Sequence, residues 1–75
     1  MNSRCVITFY STHHVLQSEK ALKEKFFNIN LIPVPRKISS NCGISLEIEC
    51  TDKDEILKVL KDNNIEIESV HELEG

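Results

Sequence analysis

Residues 4–26 read RCVITFYSTHHVLQSEKALKEKF, and the change of period inside this stretch decides the fold. Arg4 to Tyr10 are apolar at nearly every position and rich in β-branched and aromatic side chains, the composition of a strand at the centre of a sheet. Ser11 and Thr12 can cap a helix in which Val15, Leu22 and Phe26, with Ala21 beside them, recur at helical spacing. Gln17, Glu19, Lys20 and Lys23 fall on the wet side, and the helix is expected to end between Lys25 and Asn28. Further along, the run Ile29 to Val34 holds Pro33 and meets Pro35. Proline cannot donate to a ladder, so this is an edge strand. Arg36 to Gly43 (RKISSNCG) is a polar connection, after which Ile44, Leu46, Ile48 and Cys50 alternate with Ser45, Glu47 and Glu49, as a strand with one buried face does. Thr51 with Asp54 three residues later resembles a capping box for a second helix with a stripe of Ile56, Val59 and Leu60, and Asn63 and Asn64 offer a left-handed stop. The alternating run Ile65, Ile67, Val70 is read as the last strand, ahead of a Glu-rich tail.

Strand, helix, strand, strand, helix, strand in one small domain predicts an α+β, ferredoxin-like βαββαβ sandwich. Its four-stranded antiparallel sheet has the spatial order fourth, first, third, second, with two helices on one face. Glu47, Glu49, Glu66 and Glu68 are expected to clothe the other, open face. The first and second strands run in the same direction, so the loop Ser11 to His14 and the loop Arg36 to Gly43 leave the sheet at the same end. Two polar segments far apart in sequence become neighbours.

The chain has 75 residues, with 12 acidic against 9 Lys plus Arg and a net charge of −3. One domain over residues 1–75 closes a single modest core and has no second lobe to form a deep cleft, which excludes a large self-contained enzyme. No Lys/Arg cluster is present to grip a phosphate backbone, so no nucleic-acid partner is expected. No apolar run approaches the ~20 residues of a membrane span and no signal-peptide pattern opens the chain, so the expected location is cytoplasmic, with no membrane partner. Three cysteines in a reducing compartment do not suggest a disulfide framework; Cys5 and Cys50, in phase with apolar neighbours, read as small core hydrophobes.

Cys42 is different. It sits in Ser39-Ser40-Asn41-Cys42-Gly43, a loop of small polar residues in which only the thiol is soft or nucleophilic. A thiol near a helix amino terminus, an imidazole or a guanidinium has its ionised form stabilised, and the topology brings Cys42 toward Ser11, Thr12, His13 or His14, and Arg36. Gly43 lets the backbone turn tightly. Adjacent helical residues point about 100° apart, so at most one of His13 and His14 faces the loop. A neutral imidazole there can accept the thiol proton. Arg36, stiffened by Pro33-Val34-Pro35, is the best anion-binding candidate. His13, His14, Cys42 and His71 are good ligand types, but without Cys-x-x-Cys spacing no metal is expected.

The stretches Ile7-Thr8-Phe9-Tyr10-Ser11-Thr12-His13-His14, Leu31-Ile32-Pro33-Val34-Pro35-Arg36 and Ile38-Ser39-Ser40-Asn41-Cys42-Gly43 closely resemble the small bacterial selenium/sulfur (Se/S) carrier-like proteins. The likeness covers nearly the whole chain, with Asn41 where a serine is common. It implies that Cys42 is the carrier thiol, holding a persulfide or selenopersulfide for a partner. Ser39, Ser40 and nearby amides would then steady the anion. The expected function is a thiol carrier rather than a stand-alone enzyme, with no cofactor beyond covalently carried sulfur or selenium, and with donor and acceptor proteins as partners. The alternative is a small anion- or metabolite-binding regulatory module using the Arg36 to Gly43 loop; a third reading is thiol redox or metal handling. A homodimer through the uncovered sheet face is also an expectation, opposed by the glutamates there.

Overall fold

The structure, a computed structural model, describes residues 3–38 and 42–73. In chain order they form β1 (Arg4–Thr8), α1 (Thr12–Glu24), β2 (Asn30–Pro33), β3 (Ile44–Glu49), a single 3-10 turn (Cys50–Asp52), α2 (Lys53–Asp62) and β4 (Ser69–Leu73). The class is α+β. The sheet has the order β2-β3-β1-β4 with every neighbouring pair antiparallel, which is the expected spatial order read from the other edge. β2 lies at an edge, and Pro33 is its last residue.

The alternation of β1 separates two environments. Cys5, Ile7 and Phe9 meet Leu46 and Ile48 of β3, Val15 and Leu22 of α1, and Ile56 and Leu60 of α2 in one cluster, so both helices cover the same face of the sheet. Each such fully buried aliphatic or aromatic side chain contributes about 1.5–3 kcal/mol relative to exposure. Ser18 is the polar exception on α1; it is fully buried, and its hydroxyl donates to the His14 carbonyl at 2.8 Å.

Both helices end in the same way. At α1 the Phe27 amide bonds to the Leu22 carbonyl and the Phe26 amide to that of Lys23; at α2 Ile65 bonds to Leu60 and Asn64 to Lys61. This is the Schellman arrangement, in which one residue turns left-handed and the next returns an apolar side chain to the core. Asn64, at φ 57°, is the anticipated stop. The equivalent residue of α1 is Phe26, at φ 66° and 94% exposed, so it leaves the apolar stripe on which its spacing had set it.

Four further expectations are corrected. The last strand is Ser69–Leu73 rather than the run from Ile65, because Ile65 is consumed in closing α2 and sheet pairing begins where the Glu68 amide meets the Thr8 carbonyl at 2.7 Å. Thr51 does not cap α2: the chain makes the 3-10 turn first, and Asp52 stands at the cap position without a side-chain bond. The second sheet face is not open, since Val6, Thr8 and Ser45 on it are fully buried. Cys5 and Cys50, read as separate thiols, form a disulfide. Cys5 faces Ile48 across the β1–β3 ladder, and Cys50 follows two residues later on the same side. The bond from the Cys50 amide to the Ser3 carbonyl extends the pairing, leaving the two Cα atoms 5.1 Å apart, within bridging range.

Candidate functional site

β1 and β2 are both antiparallel to β3 and therefore run the same way, so the chain leaves both at one end of the sheet. There the connection between β2 and β3 is closed at its neck by the Val34 amide donating to the Gly43 carbonyl at 3.1 Å. Immediately before β3 the Ile44 amide reaches back to the Cys42 carbonyl at 2.6 Å across Gly43, whose φ is +68°. That three-residue turn needs a left-handed centre, which glycine adopts without strain. It fixes where Cys42 sits relative to the ladder.

Cys42 stays outside the disulfide and is half-buried, its side chain packed against the edge of the core. Its sulfur lies 3.7 Å from Thr12 Oγ1. Thr12 is the first residue of α1, so the thiol stands at the start of that helix, as the topology predicts. Ser11 is the N-cap, its hydroxyl accepting from the His14 amide at 3.3 Å. No acidic side chain occupies the first turn of α1. The positive end of the helix dipole therefore has no carboxylate on its own first turn to offset it.

The remaining predicted residues divide. His13 is exposed; His14 is half-buried, with Nδ1 3.1 Å from Ser11 Oγ, and the two rings are tilted with centroids 6.3 Å apart. Among the described hydrogen bonds, neither imidazole reaches Cys42, and that of His14 is engaged at the cap. Arg36 is exposed in a turn closed by the Ile38 amide on the Pro35 carbonyl at 2.9 Å, and no described hydrogen bond or ion pair brings it to the thiol. Ser39, Ser40 and Asn41 lie outside the described residues. Among the described residues, Thr12 by its contact and Gly43 by its turn geometry are predicted residues that define the surroundings of Cys42.

One polar chain escaped the reading of the sequence. On the second sheet face Thr8 Oγ1 lies 2.6 Å from Ser69 Oγ, which lies 2.8 Å from His71 Nε2. The signal was the register, Thr8 opposite Ser69 and Val6 opposite His71, and it was hidden once the last strand was placed too early.

The disulfide is at the other end of the sheet. From Ile44 to Cys50 is six strand steps, about 20 Å at ~3.3 Å per residue, so the bridge and Cys42 cannot exchange within the folded chain. Among the described residues no helix is long and apolar enough to cross a membrane. No curated protein and no solved structure matches the chain. A family model does, over residues 4–72, which takes in both strands of the Cys42 turn, the start of α1 and the thiol itself: the chain belongs to the family described as "Putative Se/S carrier protein-like".

Proposed function

We propose that the protein is a sulfur or selenium carrier in which Cys42 holds the cargo and passes it to a partner protein. The observation that carries this reading is the pairing of Cys42 Sγ with Thr12 Oγ1 at the first residue of α1, 3.7 Å apart, in a chain whose family is described by Se/S carriage. In the loading step the Cys42 thiolate attacks the terminal sulfur of a donor persulfide. A new S–S bond forms on Cys42, the donor's S–S bond breaks, and the donor leaves as a thiolate, with no net oxidation. Discharge reverses the roles: an acceptor thiolate attacks the terminal atom and the Cys42 thiolate leaves. The selenium version replaces the terminal sulfur.

The first turn of α1 stabilises the anion at both stages, and Thr12 Oγ1 can donate to it. Ser39, Ser40, Asn41 and Arg36 are proposed to approach the loaded group when a donor or acceptor is engaged, and His13 or His14 to take the thiol proton. Cys5 and Cys50 are bonded to each other about 20 Å from Cys42, which favours a carrier over a dithiol redox protein. The strand order and the placement of both helices on one face support assignment to the ferredoxin-like topology. The proposed location is the cytoplasm.

The reading is tested by incubating the chain with a low-molecular-weight persulfide and mapping the product by mass spectrometry. Addition of one sulfur atom at Cys42, lost in Cys42→Ser and released by an acceptor thiol, is the expected result. Loading that survives Cys42→Ser would overturn it.

A further inference from the structure

Three large apolar side chains are exposed among the described residues: Tyr10 at 52%, Leu16 at 49% and Phe26 at 94%. Two of them lie at the Cys42 end of the sheet. Leu16 is four residues after Thr12 on α1, and side chains at that spacing are neighbours on one helix face, with Cβ atoms about 5–6 Å apart. Thr12 is the residue whose Oγ1 lies 3.7 Å from Cys42 Sγ, so Leu16 stands one helical turn beyond the thiol on the face that the thiol meets. Tyr10 is two residues past Thr8, and Gly43 two residues before Ser45, the ladder partner of Thr8, so the two chains leave the sheet side by side. Neither Tyr10 nor Leu16 belongs to the core.

The charge at this end departs from that of the whole chain. The net charge is −3, yet residues 10–18 and 33–46, which lead from β1 into α1 and from β2 into β3, contain no Asp or Glu. Their cations are Arg36 and Lys37, both exposed; Arg36 is two residues beyond the Val34 amide that closes the neck on Gly43. Lys37 shares a cavity with Glu72, whereas no described ion pair holds Arg36. Glu68, whose amide meets the Thr8 carbonyl, is on the β4 side of β1, the side away from β3 and Cys42.

We propose, resting on the carrier reading, that Tyr10 and Leu16 are the docking surface for the donor or acceptor protein, and that this partner presents its sulfur among apolar side chains with carboxylates at the rim. Transfer brings the partner's sulfur to bonding distance of Cys42 Sγ, so the surface around that sulfur must cover the residues beside the thiol. Exposed aromatic and aliphatic side chains at the centre of such a contact supply affinity, and charges of opposite sign at its rim supply orientation and rate.

The test uses synthetic peptide persulfides of equal length, with the cysteine flanked by leucines or by glycines and with glutamates or lysines at the ends, beside a low-molecular-weight persulfide. In each case the Cys42 thiolate takes the terminal sulfur, the donor's S–S bond breaks and the donor leaves as a thiolate. Arrival of sulfur at Cys42 is timed by mass spectrometry at subsaturating donor. The leucine peptide is expected to react about 10-fold faster than the glycine peptide, the scale of burying one large apolar side chain. Glutamate ends should outpace lysine ends, with the gap narrowing as salt is added. Leu16→Ser and Tyr10→Ser should each remove most of the leucine advantage while loading from the low-molecular-weight persulfide stays as in the wild type. If that small persulfide fails to load Cys42, the carrier reading falls and this inference with it. If it loads Cys42 while leucine and glycine peptides react alike, lysine ends match glutamate ends, or both serine variants keep the leucine preference, the docking surface alone is overturned.

Discussion

Reduction of the Cys5–Cys50 bridge is expected to remove a large share of the stability of this domain while leaving the Cys42 turn intact. The bridged residues are 45 apart in sequence. Closing a loop of that length in the unfolded chain lowers its entropy by roughly 13 cal/mol/K in the chain-entropy treatment, or about 4 kcal/mol at room temperature, toward the upper part of the usual range for disulfides. A domain of 75 residues has a total stability of roughly 4–11 kcal/mol. The bridge is therefore comparable with the whole margin. With an unfolding entropy of about 2.1 cal/mol/K per residue, 4 kcal/mol corresponds to a fall in Tm of about 25 °C. The assay is thermal unfolding by circular dichroism of Cys42→Ser protein, with and without a phosphine reductant; that background prevents reshuffling, and the comparison changes no atom of the core except the S–S bond. In parallel, alkylation of the wild type below its reduced Tm should proceed at Cys42 at the same rate in both states, because the bridge is a strand length away. A Tm difference below about 5 °C, or alkylation of all three cysteines without reductant, would refute the reasoning.

Three smaller perturbations follow from the same geometry. Phe26→Gly relieves a left-handed aromatic residue that touches solvent on nearly every side, and should stabilise the domain by about 0.5–1 kcal/mol once the greater freedom of glycine in the unfolded chain is subtracted, measured by urea denaturation. Gly43→Ala meets no atom within 4 Å of the added methyl, so only the backbone is strained; a loss of about 1–2 kcal/mol in the same assay is expected, with slower loading as the turn that sets Cys42 shifts. Thr12→Val removes the hydroxyl beside Sγ while keeping the shape, and should shift the equilibrium for loading Cys42 about 2- to 10-fold toward the empty thiol, read by quantitative mass spectrometry.

The elements written in period were readable from sequence and those written in register were not. Arg4 to Thr8, the Val15 and Leu22 stripe, the Ile44 to Glu49 alternation and the Ile56 and Leu60 stripe each carry a repeat that local sequence displays, and together they set the strand order. Convergence of Cys42 on Thr12 followed from strand direction alone. What escaped depended on partners distant in the chain. Ile65 and Ile67 alternate as a strand would, yet Ile65 is spent on closing α2, and the true strand is the stretch whose hydrogen bonds find β1. Cys5 and Cys50 become bridgeable because the β1–β3 register sets them two residues apart on one side, a fact no spacing reveals. Phe26 fits the helical stripe by period and departs from it because the helix stops at Glu24 and Phe26 takes the left-handed position that closes it.

The most direct test of the carrier reading is transfer through Cys42 itself. The chain is loaded from a low-molecular-weight persulfide, desalted and offered an acceptor thiol, and sulfur is followed by intact mass and peptide mapping. The account predicts one sulfur atom on Cys42, quantitative release to the acceptor, and neither step in Cys42→Ser. Loading of Cys42→Ser to the same extent, or a Cys42 that takes up no sulfur while the fold is intact, would contradict it.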